Sequence, residues 1–180
     1  MLARLRPGSQ GHLAAVSVIA LGMVALASRR VGPVAPAVTL VVATAALLVP
    51  TQPHGALRTG LAPWLVAVAL GVSAFVVVRA LFQLPPAGGT GVAAAAAIAG
   101  LAEEALFRRL FYDQLSRWGV GLAVVGSALA FGLVHVPAHG LAVLPLDVAA
   151  GLLFGWQRWA SGSWSAPALT HVAANVVQLV

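Results

Sequence analysis

The sequence has no cysteine and no lysine, and only four of its 180 residues are acidic. Without cysteine there is no disulfide framework, no thiolate metal site and no thiol nucleophile. Charged residues make up 8% of the chain, against about 25% in a soluble domain, so a water-facing surface could not be covered. Disordered chains, coiled coils and cytosolic Rossmann-type enzymes are excluded on that ground. Alternating segments of about ten residues, the mark of a membrane barrel, are missing as well.

Apolar sequence is what the chain has, at 61% hydrophobic residues and a mean hydropathy of +0.98. All ten basic residues are arginine, in ones and twos: Arg4/Arg6, Arg29/Arg30, Arg58, Arg79, Arg108/Arg109, Arg117 and Arg158. Scattered arginine at the ends of apolar runs anchors helices at an interface and biases topology. A nucleic-acid face would need clustering, so no nucleic-acid partner is expected despite the net charge of +6.

Breaks at Arg, Pro and Gly clusters divide the chain into seven apolar stretches: 12–28, 31–49, 61–84, 90–115, 119–135, 141–159 and 164–180. The predicted fold is all-α, a polytopic transmembrane helical bundle of about seven spans, between six and eight. N-terminal helices over 1–89 lead into a core over 90–180, together one integral membrane domain. The stretches 31–49 and 141–159 are the shortest on evidence, and one could be re-entrant. Connections of about a dozen residues or fewer leave no room for an extramembrane domain. Arg4, Arg6, Arg58, Arg117 and Arg158 against Arg29 and Arg30 favour a cytoplasmic N-terminus in a multi-pass protein of the plasma (inner) membrane. Residues 1–27, ending near Ala25-Leu26-Ala27-Ser28, also pass for a cleaved signal; six further apolar stretches favour an uncleaved first span. The small-residue run Ala93–Ala97 suits close helix packing in lipid.

Ionisable residues inside such stretches are expensive and mark function by default. Glu104 and Arg108 are four apart and share a helix face, where they can pair. Glu103 points about 100° away from that face. Phe131 and His135 repeat the spacing, as do His171 and Asn175. Three helices could thus aim a carboxylate, two imidazoles and an amide at one cavity, where a carboxylate in apolar surroundings suits a general base. Blander readings stand beside this one. Glu104–Arg108 can be a structural pair, His135 an interfacial residue, and His171 with Asn175 interhelical glue. Glu103 at mid-span and His135 at a span end should differ in depth by about 10 Å on upright helices.

Other hydrolase patterns fail. There is no His-Glu-x-x-His, and His135-Val-Pro-Ala-His139 is expected to lose its helical spacing at Pro137. Gly126-Ser127-Ala128 lacks the loop of an intramembrane serine protease. Tyr112-Asp113 has no second aspartate motif to partner it, because Asp147 stands in Pro-Leu-Asp-Val.

The three polar clusters resemble the CPBP family of intramembrane endopeptidases, the type II CAAX prenyl endopeptidase and bacteriocin-processing (ABI) membrane proteins. Its pattern, E-E-x-x-x-R, then F-x-x-x-H, then H-x-x-x-N, stands here as Glu103-Glu104…Arg108, Phe131…His135 and His171…Asn175. Gly151…Gly155-Trp156 and Ala166-Pro167-Ala168-Leu169 agree as flanking sequence, and the likeness covers about 90–180. The resemblance implies that Glu103 activates water, His135 orients it, and His171 with Asn175 forms an oxyanion hole. Glu104 and Arg108 would hold the helix, with Phe131 in support. It leaves metal use open: zinc, if used, would sit on Glu103, His135 and His171. A metal-free glutamate mechanism is preferred, since no group to hold the second ring nitrogen of His135 can be read from the sequence. The implied substrate is a membrane-embedded or membrane-anchored protein or peptide, of CAAX type or bearing a C-terminal sorting signal. Rival readings are a non-catalytic membrane immunity or scaffold protein and a proton-coupled carrier.

Overall fold

The computed structural model describes residues 7–28, 35–51, 56–57, 59–82 and 93–177. Of the seven arginines on which the orientation argument rests, Arg4, Arg6, Arg29, Arg30 and Arg58 lie outside them, and Arg117 and Arg158 lie within. The described residues contain helices and no strand. Three helices come first: α1 (Pro7–Ala27), α2 (Ala35–Leu48) and α3 (Leu61–Phe82). A fourth rod runs without interruption through α4 (Ala93–Glu104), a π-helical segment (Ala105–Phe111) and α5 (Tyr112–Ser116). Then follow α6 (Val120–His139), α7 (Leu144–Ser161, entered through a 3-10 turn) and α8 (Ser165–Val177).

The stops are written in glycine. Gly140 (φ 83°) and Gly162 (φ 68°) take left-handed conformations after α6 and α7, where a side chain would be strained. Pro145 opens α7 at a position where its missing N–H costs nothing.

Pro137 does not end α6, contrary to the sequence expectation; the helix continues to His139. A proline there removes only the donor to the carbonyl one turn back. The helix closes immediately afterwards, with Gly140 N–H donating to Val136 O at 2.8 Å. His135 therefore sits one turn inside the helix, about 6 Å from its end at 1.5 Å per residue.

Polarity runs opposite to that of a soluble bundle. Glu103, Glu104, Arg108, Asp113, Gln157 and Arg158 are buried, while Leu21, Leu48, Leu61, Leu81, Phe82 and Leu141 are exposed. Among the described residues two helices, α3 and α6, are long and apolar enough to cross a membrane by themselves. Buried polar groups have to be paired, and here the pairs tie rods together. Arg158 donates to Asp113 Oδ1 at 2.8 Å, joining α7 to α5. Gln157 Nε2 donates to Ala67 O (2.6 Å) and Thr170 Oγ1 (2.8 Å), joining α7 to α3 and α8. Arg109 donates to Val49 O at 3.0 Å and to Ala46 O, capping the end of α2. The helices α3 and α8 run parallel: Trp64 Nε1 donates to Ser165 Oγ at their starts (2.9 Å), and Gly71 backs onto Thr170 further along.

Candidate active site

The fourth rod carries two adjacent glutamates into the middle of the bundle. Both are buried, and Arg108 is fully buried below them. Arg108 donates one N–H to Glu104 Oε1 at 3.0 Å and another to Gly151 O at 3.1 Å. Its guanidinium lies 4.5 Å from the Phe131 ring centre and 5.1 Å from that of Phe154. Aromatic faces and a carboxylate together offset the desolvation of this cation. Gly151 also lets α7 approach α6, since a Cβ there would stand 2.8 Å from Ala128 Cα.

The π segment starts where the glutamates end. Tyr112 N–H donates to Phe107 O, five residues back, instead of four. Such bulges recur at functional sites because they turn side chains off the regular helical face. Nothing in the apolar periodicity signals this one.

His171 sits between the two glutamates. Its Nδ1 lies 2.9 Å from Glu104 Oε1, and its Nε2 lies 3.8 Å from Glu103 Oε2. His135 faces the same Glu103 oxygen, with Nε2 at 3.6 Å. Its Nδ1 lies 2.7 Å from Phe131 O. That carbonyl is the holder of the second ring nitrogen which the sequence did not reveal. The depth offset expected between Glu103 and His135 is closed, because α6 extends beyond His135.

These contacts fix the histidine tautomers. A backbone carbonyl accepts and never donates, and the Arg108-paired carboxylate likewise accepts. Each Nδ1 therefore carries its proton. In the neutral rings both Nε2 atoms turn a lone pair toward Glu103. Neither Nε2 can donate a hydrogen bond unless its ring holds a second proton.

Ring packing holds the geometry. Phe131 lies 4.7 Å from His135 and 5.7 Å from His171, while Phe154 stacks on His171 at 4.9 Å and 22°. Asn175 Nδ2 donates to Ala96 O at 3.0 Å, which leaves the second N–H of that amide uncommitted by this bond. Gly100 lets α4 approach α8, where a Cβ would stand 3.2 Å from Asn175 Nδ2. Sequence reasoning missed Phe154 and Gly100, whose apolar setting distinguishes them from no other core position.

A cavity of about 450 Å³ opens beside this cluster. His135, His171 and Asn175 line it, together with Phe131, His139, Asp147 and Arg79. The expectation that all four candidate groups line one polar cavity needs correction. Glu103 is buried behind the two histidines and is absent from the lining, and most of the lining residues are apolar. Two Nε2 lone pairs and a carboxylate oxygen are donors that zinc accepts at about 2.0–2.2 Å. Among the described residues, however, no group of three His, Asp or Glu side chains is arranged to hold a metal ion.

No curated protein and no solved structure matches the chain. The family model for Type II CAAX prenyl endopeptidase Rce1-like proteins matches residues 65–177, from α3 through α8. That span takes in every residue of the cluster and well over half of the sequence, so the chain belongs to the type II CAAX prenyl endopeptidase Rce1-like family, a family of proteases.

Proposed function

We propose that this protein is a multi-pass intramembrane endopeptidase that uses Glu103 to activate water against a peptide bond. The observation that carries the reading is Glu103 Oε2, set 3.6 Å and 3.8 Å from two Nε2 atoms. Those separations are too long for direct hydrogen bonds and leave room for a bridging oxygen. Water in that position donates one hydrogen to Glu103 and the other to His135 Nε2. Glu103 takes a proton as the water oxygen attacks the substrate carbonyl, and returns it to the departing amine.

The developing oxyanion is assigned to Asn175 and His171. Asn175 offers its second N–H. His171 can serve only as the doubly protonated ring, because Glu104 already holds its Nδ1 proton. Glu104, Arg108 and Phe131 hold the site together and take no part in proton transfer. Every step is assigned to side chains, without zinc on Glu103, His135 and His171.

Exposed leucines around a buried polar centre support placing the helices in lipid; the distribution of arginines supports a cytoplasmic N-terminus in the plasma (inner) membrane. The substrate is a membrane-embedded or membrane-anchored protein or peptide, of CAAX type or with a C-terminal sorting signal. The test compares protein termini in membranes from cells making the wild type and Glu103→Gln. New termini seen only with the wild type support proteolysis and name the substrate. Identical termini, with both proteins folded and abundant, overturn it in favour of a scaffold or immunity role.

A further inference from the structure

The chain has four carboxylate side chains, Glu103, Glu104, Asp113 and Asp147. Glu104 is bound to Arg108 and His171, Asp113 to Arg158, and Glu103 faces two histidines. All four fall within the described residues. Arg79, on α3, forms an ion pair with none of them; its Nη1 is buried and has no hydrogen-bond partner among the described residues. Asp147 is on the same cavity wall, and its Oδ2 is equally without a partner, yet the two do not meet.

A guanidinium with a shielded, unused N–H is costly unless an anion arrives to meet it. An arginine that merely snorkels to lipid headgroups would carry its tip in the open. Arg79 instead lines the cavity shared by His135, His171 and Asn175. The parallel packing of α3 and α8 gives its position. Gly71 is level with Thr170, and Arg79 lies eight residues further on, roughly 12 Å at 1.5 Å per residue. His171 lies one residue past Thr170, which leaves roughly 10 Å between its level and that of Arg79. An extended peptide covers that in about three residues.

We propose that Arg79 is a specificity-determining residue that binds the free C-terminal carboxylate of a peptide lying in this cavity. Resting on the protease reading, this places the scissile bond a few residues before the chain end, over Glu103. The planar fork of arginine matches a carboxylate in a way that lysine cannot. A lipid phosphate offers the same anionic chemistry, and the experiment separates the two.

The probe is a labelled peptide, dye-Gly-Gly-Ala-Val-Leu-Val, prepared as the free acid and as the C-terminal amide. Its binding is measured to purified Glu103→Gln protein, which cannot turn it over, in nanodiscs of neutral lipid. The acid is expected to bind about tenfold more tightly than the amide. Arg79→Met in the same background should erase the difference by weakening the acid alone, with Arg79→Lys keeping part of it. Equal affinities for acid and amide, or binding of neither, overturn the proposal. So does a preference that survives Arg79→Met. Should Arg79→Met fail to fold, the acid–amide comparison with Arg79 intact still decides. Loss of the preference on adding anionic lipid, with Arg79 intact, would show lipid phosphate to be the natural occupant and would also overturn it. Because binding is read without turnover, an acid preference in a protein that cleaves nothing upholds Arg79 and overturns only the protease reading.

Discussion

His171 gives its Nδ1 proton to Glu104 Oε1 at 2.9 Å and turns Nε2 toward Glu103 Oε2 at 3.8 Å. Two consecutive residues of one type thus hold opposite sides of one ring. Glu104 spends its charge on Arg108 and His171. Glu103 keeps its outer oxygen at the point where both histidines converge.

The two glutamates should therefore fail differently. Glu104→Gln leaves the fully buried Arg108 without its counter-charge, and breaking such a pair costs about 3–5 kcal/mol. Thermal melting in detergent should drop by many degrees. Glu103→Gln should melt near the wild type while cleavage falls to background. A Glu104→Gln protein with unchanged melting would remove the structural role assigned to that residue.

Asn175→Ala should lower turnover about 100- to 1000-fold, the usual loss of one oxyanion donor. Its stability cost is small, near 1 kcal/mol, because only the bond to Ala96 O is lost. The loss should appear in kcat with KM little changed. A rise in KM alone would make Asn175 a substrate-binding group and leave the oxyanion to others.

Much of this site is legible in the sequence because it is local to helices. Four-residue spacing brings Glu104 to Arg108 and Phe131 to His135, and these pairs lie 3.0 Å and 4.7 Å apart. What escapes is what depends on neighbouring helices. The Phe131 carbonyl that holds His135, the stacking of Phe154 on His171, and the burial of Glu103 behind the cavity wall are all tertiary. Pro137 misled because the penalty of a proline depends on how much helix follows it, and here only two residues do. The seven apolar stretches are mainly helical where described, and among the described residues α3 and α6 are long and apolar enough by themselves to cross a membrane. The fourth rod and α7 are broken by polar residues that make sense only inside the packed bundle.

Chelation tests the metal-free mechanism directly. Cleavage by purified protein should persist after prolonged treatment with a strong zinc chelator, followed by removal of the chelator. Loss of activity restored by zinc alone would turn Glu103, His135 and His171 into ligands. The Phe131 carbonyl and Glu104 would then become the groups orienting those ligands.

Gly100 separates packing for stability from packing for chemistry. It lies within α4 and is buried, and a Cβ there would stand 3.2 Å from Asn175 Nδ2 and 3.4 Å from the His171 ring. Both neighbours would have to yield by a few tenths of an ångström. On helix propensity alone, Gly100→Ala stabilises α4 by about 0.5–1 kcal/mol, offsetting much of the crowding. Melting should therefore stay near the wild type. Turnover should not, because a shift of about 1 Å in a catalytic group can cost about 100-fold, and a few tenths should cost about tenfold. Gly100→Val, with two more carbons to place, should lose both. The decisive comparison is the alanine variant: reduced turnover at unchanged melting assigns the close approach of α4 and α8 to aligning His171 and Asn175. Full turnover with an earlier melt would assign it to packing alone.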